Sequence, residues 1–197
     1  MAADSRLDRW LSELVATPGL TAIRDLAEAR RVLLDDALRG LELVARYEGR
    51  IVDVGSGGGT PGIPLAASLP EREVTLLEAN ERKCEFLRGW ESEFPNLRVV
   101  RGRAEEQPPD SYDVAVAKAL APPPVAAEWT LALVAPGGAA ILWVGPDTDV
   151  ANVQKVATAL GGGPVQTRRG LLVLPKLEST PEGFPRRVGV ARKRPLA

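Results

Sequence analysis

The spacing of apolar and polar positions divides the chain into helices and strands in turn. Near the N-terminus Leu7, Trp10, Leu11 and Leu14 recur at i, i+3, i+4 and i+7, one face of a short helix. TPGLT (17–21) breaks that helix. Asp25 with Glu28 makes a capping-box-like start, and Leu26, Ala29, Leu33, Ala37, Leu41 and Val44 carry helical spacing onward. Beyond residue 50 the pattern shifts to short apolar runs. Strands are predicted over 51–54, 74–77, 97–100, 112–117 and 139–144, with a late strand over 171–174. Between them lie helices. Pro70 ends the first, and Asn80 caps the second, whose Leu87, Trp90 and Phe94 share a face. APPP (121–124) opens the third, and 149–160 forms the fourth. Pro136-Gly137-Gly138 reads as a turn into the fifth strand.

Strand and helix in alternation predict an α/β fold with a doubly wound, mostly parallel sheet. The expected division is a helical extension over 1–48 packed on a core domain over 49–197. Covering the sheet is the first role expected of the extension, and a share in substrate binding is the sharper alternative.

One stretch stands apart, IVDVGSGGGTPG (51–62), where a short apolar strand runs into Gly55, Gly57, Gly58, Gly59 and Gly62. Glycines at this density let the backbone turn tightly and lie against a ligand where a Cβ would collide. The helix that follows points its free N–H groups back at that ligand. A nucleotide-like cofactor is the expectation. Glu78 falls about twenty positions further on, at the end of the second strand, where an acidic residue usually grips a ribose diol. GRAEE (102–106) follows the third strand, and Ala104 and Glu105 are placed to meet an adenine amino group. Lys118 ends the fourth strand at the sheet centre, where ligands gather in open sheets.

Composition narrows the chemistry. The 197 residues are 45% hydrophobic and 26% charged, enough for one well-packed domain. A single cysteine, Cys84, precludes a disulfide within the chain and is expected to pack. No apolar run reaches the roughly 20 residues of a membrane span, and MAADSRLDRW lacks a signal-peptide core. Cytoplasm is expected, with a monomer and neither metal nor membrane contact. There is no histidine, which excludes a Ser-His-Asp triad and an imidazole base. Net charge is −1, so nucleic-acid binding needs a local patch. FPRRVGVARKRP (184–195) supplies one, with Arg186, Arg187, Arg192, Lys193 and Arg194 as candidate RNA-binding cations.

Gly57, Gly59 and Gly62 satisfy the dinucleotide fingerprint, but Asp53 to Gly59 also reads D-x-G-x-G-x-G, which resembles the first motif of class I S-adenosylmethionine-dependent methyltransferases. The PGG turn resembles that class too, and nothing resembles a hydride-transfer site. DVGSGGGTPGIPLA, ERKCEFL, GRAEE and FPRRVGVARKRPL together resemble the RsmG (GidB) family, as does GLTAIRDLAEARRVLLDDAL (19–38). The resemblance implies a Rossmann-like class I fold, S-adenosyl-L-methionine as cofactor, and methylation of N7 of a guanine in bacterial 16S rRNA or the small ribosomal subunit. By position it implies cofactor contacts at Gly55, Thr60, Ala104 and Glu105, and the candidate set adds Asp53, Gly57 and Gly59 from the motif with Glu78 and Lys118 from the strand ends. No catalytic acid or base is implied, and Lys118 is the positioning candidate. Three positions depart from the family pattern: Lys118 stands where arginine is usual, Thr60 where a bulky apolar residue is usual, and Leu33 where many relatives carry histidine. Two other readings stay open on the residues alone, a methyltransferase for a small metabolite and a non-catalytic nucleoside-binding domain.

Overall fold

The computed structural model describes residues 4–197; the first three residues of the expected N-terminal extension lie outside the described residues. Seven strands form one sheet in the order β3-β2-β1-β4-β5-β7-β6. They are β1 (Ile51–Val54), β2 (Val74–Glu78), β3 (Leu97–Arg101), β4 (Tyr112–Lys118), β5 (Val134–Trp143), β6 (Gln166–Arg168) and β7 (Leu171–Pro175). β1 to β5 pair in parallel, and β7 runs antiparallel between β5 and β6. The order reverses at β1 and β4, which places a crevice at their C-terminal ends.

Side chains alternate between the two sheet faces, and each face has its own core. Ile51, Val114, Val116, Ala139, Ile141, Leu171 and Val173 enter one cluster. Val52, Val54, Ala115, Ala117, Ala140, Leu142, Leu172 and Leu174 enter the other. This is why the central strands read as unbroken apolar runs rather than alternating ones. The first core is closed by α1 (Ser5–Ala16), the helical segment after it, α5 (Gly62–Ser68) and α6 (Glu81–Arg88). The second is closed by α7 (Pro123–Leu131) and α8 (Val150–Ala159).

Leu7, Trp10, Leu11 and Leu14 of α1 are all buried, as their spacing predicts, and Trp10 Nε1 donates to Gly58 O at 2.9 Å. The second helical stretch differs from its prediction. α2 (Leu26–Ala29) passes into a π-helical stretch (Arg30–Asp35), returns as α3 (Asp36–Leu38), breaks at Gly40 and resumes as α4 (Leu41–Val44). A π turn frees main-chain carbonyls from the ordinary ladder, and donors from the core reach this stretch. Thr60 Oγ1 donates to Leu33 O at 2.7 Å, Lys118 Nζ to Val32 O at 2.9 Å, and Trp143 Nε1 to Asp36 O at 2.8 Å. No side chain fits at Gly40, because the Trp143 ring lies where its Cβ would sit.

Pro136-Gly137-Gly138 lies inside β5 as a bulge rather than before it as a turn. Tyr112 pairs with Val134 and Val114 with Ala139, so β5 carries the extra residues. Gly137 sits at φ +92°, and Gly138 is pressed so closely on the main chain of Asp113 that no Cβ fits. Two elements carry no hydrophobic signal and escape prediction. All of β6 is exposed, and α9 (Val190–Lys193) is one turn.

Candidate functional site

The crevice at the strand ends opens into a cavity of about 270 Å³. Val54 and Gly55 from the end of β1, Leu77 and Glu78 from β2, Ala104 and Glu105 after β3, and Leu120 after β4 line it. Glu78 is the last residue of its strand and is buried. Its Oε2 accepts the Gly57 N–H at 2.9 Å and its Oε1 the Asn80 N–H at 2.8 Å. Two main-chain donors therefore fix the carboxylate, and each oxygen keeps a further lone pair for a ligand. Ala104 and Glu105 begin a 3₁₀ turn (Ala104–Glu106), which presents their main chain at the cavity edge.

The glycine loop owes its shape to residues below it. Asp53 is 1% exposed, and its Oδ2 accepts the Gly62 N–H at 2.9 Å. Ser56 Oγ donates to Asp53 O at 2.8 Å, and the Gly59 N–H donates to Ser56 O at 2.7 Å. Burial pushes the Asp53 carboxyl up from 3.8 to about 7; its bonds from Gly62 and Ser56 oppose that rise, and the Glu78 charge adds to it. Gly55 and Gly57 both lie in the left-handed region, at φ +71° and +59°. A Cβ on Gly55 would run into Leu120.

Of the residues named from the sequence, Gly55, Glu78, Ala104 and Glu105 line the cavity. Asp53, Gly57, Gly59, Thr60 and Lys118 do not. Asp53 braces the loop from inside, and Gly57 meets the site through its N–H bond to Glu78. Gly59 is committed to the turn, where a Cβ would crowd Ile63 and Leu87. In this structure the Thr60 and Lys118 side chains brace the helical extension. Their side chains are spent on the carbonyls of the π stretch, and Lys118 also pairs with Asp36 at 3.2 Å with 13% of its side chain exposed. A strand-end lysine is drawn to these carbonyls because the extension covers that end of β4.

The basic tail divides in the same way. Arg186 is not a free cation: its Nε and Nη2 donate to Glu128 Oε1 and Oε2 at 2.7 and 2.5 Å, and Glu128 is 2% exposed. That bidentate pair holds the Arg186 guanidinium above its ordinary pKa. Arg187, Lys193 and Arg194 are exposed. Arg192 lines the cavity, with Cζ 5.3 Å from the Trp129 ring centroid and Nη2 3.4 Å from Leu120 O. Trp129 also lines the cavity, on a helix buried without a break from Val125 to Leu131. Nothing in its spacing marks it as part of a site.

Comparison with known proteins agrees with this geometry. The family model described as rRNA small subunit methyltransferase G matches residues 5–161. A protein named ribosomal RNA small subunit methyltransferase G from Synechococcus elongatus is 36% identical, the match covering 90% of this chain and 82% of that one. One of the same name from Thermotoga sp. is 34% identical, covering 97% and 90%. Among solved structures, a T. thermophilus 16S rRNA guanine-N2 methyltransferase in complex with AdoMet and guanosine superimposes with a TM-score of 0.51 at 19% identity, covering 68% of this chain and 37% of that one. The last likeness is one of fold, that of the class I methyltransferases. On the family match and the extent of the identities, the chain belongs to the rRNA small subunit methyltransferase G (GidB) family.

Proposed function

We propose that this protein transfers a methyl group from S-adenosyl-L-methionine to N7 of a guanine in 16S rRNA of the small ribosomal subunit. The observation that carries the cofactor is Glu78. Its carboxylate is buried, fixed by two main-chain N–H groups, and has lone pairs left at the floor of a cavity beside a glycine loop. A ribose diol offers the two donors such a carboxylate takes. The cavity also suits the rest of the molecule. Gly55 lines it with main chain alone, the turn at Ala104 and Glu105 would meet a purine edge, and Trp129 Nε1 is buried without an acceptor. When bound, the cofactor supplies a methyl group on a sulfonium, a good electrophile.

Guanine N7 carries an in-plane lone pair and no proton at neutral pH, so its attack requires no general base. A chain without histidine loses nothing by that lack. The protein's part is to hold the nucleophile in line and keep the site dry, an entropic contribution on the order of 7–11 kcal/mol at best. Exposed Arg187, Lys193 and Arg194 supply charge for RNA phosphates. The target guanine must lie in an open segment, since N7 in the major groove of A-form RNA is out of reach.

The test is transfer of labelled methyl to small subunits from cells lacking the gene, beside subunits from cells that have it. Label on the former alone, mapping to a guanine N7 and lost in Glu78→Gln, supports the reading. Cofactor binding with no label on either subunit refutes the ribosomal target, and turnover on a small molecule then replaces it.

A further inference from the structure

The segment after β7 returns across the sheet and ends on the cavity. Arg186 ties it to Glu128 on α7. Gly189, at φ +78°, turns its N–H onto Glu105 Oε1 at 3.1 Å. Ala191 is fully buried in the second core, which seats α9. Arg192 then reaches Leu120 O and lies over Trp129. Glu105, Leu120 and Trp129 all line the cavity, and so does Arg192 itself. Every one of these polar contacts lands on a cavity-lining residue or on Glu128, the neighbour of one.

We propose that residues 184–194 form the outer wall of the cofactor site, with Arg192 closing it over Trp129, so that bound cofactor and tail hold each other in place. This rests on the methyltransferase reading above. The Glu105 carboxylate is the shared element: the tail's N–H takes one oxygen, and the other is left for the nucleoside. A ligand that fixes Glu105 also fixes the group to which Gly189 is tied. Arg192 and Trp129 meet as guanidinium and indole, two planar groups that stack on one another and on a purine. Because the linkage is reciprocal, whatever the nucleoside adds to tail order, the ordered tail adds to nucleoside affinity. Exposed Arg187, Lys193 and Arg194 ride on the same segment, so the cations offered to RNA are aligned by the loaded cofactor site.

Trypsin reads this directly on the intact chain, because Arg187, Arg192 and Lys193 are cleavage sites and S-adenosylhomocysteine is a stable probe. At saturating probe, cleavage in the tail is expected to slow about five-fold or more, while cutting at exposed Arg168 and Arg169 of the β6–β7 hairpin is unchanged. By calorimetry Arg192→Ala is expected to bind the probe about five-fold more weakly, with its unliganded Tm within about 1 °C of the parent. Equal tail cleavage at saturation, or an Arg192→Ala affinity within about two-fold of the parent, overturns the proposal. If the parent chain binds no S-adenosylhomocysteine at all, the cofactor reading falls first and takes this one with it.

Discussion

Arg186→Ala separates two roles that the basic tail suggests for this residue. A phosphate-binding arginine is exposed, and its loss weakens RNA binding while the fold stands. Arg186 instead neutralises Glu128, which is 2% exposed on a helix buried from Val125 to Leu131. Removing the guanidinium strands that carboxylate, and breaking a buried pair costs about 3–5 kcal/mol. The Arg186 side chain is 19% exposed, so water reaches one side of the pair and the low end applies, about 3 kcal/mol. For a chain of this size that lowers Tm by about 6–12 °C. Urea unfolding and calorimetry at neutral pH measure it, with Glu128→Gln/Arg186→Met as the second arm. The double variant removes both charges and is expected to recover more than half of the loss. A cost below about 1 kcal/mol for Arg186→Ala, or a double variant as unstable as the sum of the singles, refutes the assignment of Arg186 to the fold.

Asp53→Asn tests the buried carboxyl under the glycine loop. Its folded pKa of about 7 lies above the unfolded value of 3.8, so the folded state holds more protons and stability falls as pH rises between these values, by at most about 4 kcal/mol. Denaturant midpoints from pH 4 to 8 should lose most of that slope in the variant; a variant profile parallel to the parent's rejects it. Lys118→Ala leaves Val32 O without its donor and should cost about 1–3 kcal/mol. Hydrogen exchange should quicken across 30–38 while S-adenosylhomocysteine affinity stays within about two-fold, and a ten-fold loss of affinity would instead put Lys118 at the cofactor. Arg187→Ala/Lys193→Ala should weaken binding to a 16S rRNA fragment and flatten log K against log salt by about 0.7 per lost contact; an unchanged slope removes these two from the RNA surface.

Much of this protein was determined by local pattern. Strand cores, the caps at Asp25, Asn80 and Asp149, and the buried face of α1 follow from residue type and spacing, because hydrogen bonds in a turn and side-chain alternation are short-range. Glu78, Gly55, Ala104 and Glu105 were legible for the same reason, since a strand end and the loop after it place their residues by sequence position alone. What a long side chain meets across the fold is set by neighbours far away in sequence. That Lys118 and Thr60 bond carbonyls of the extension, 86 and 27 residues away, is written nowhere near them in the sequence. Arg186 and Arg192 share one basic run, yet Glu128 pairs with the first and the second lines the cavity. The π stretch has the same origin, its carbonyls being bonded by Thr60 and Lys118 from the core. Tertiary structure alone decided these, because a charge or a donor takes the best partner within reach, and reach is known only once the chain has folded.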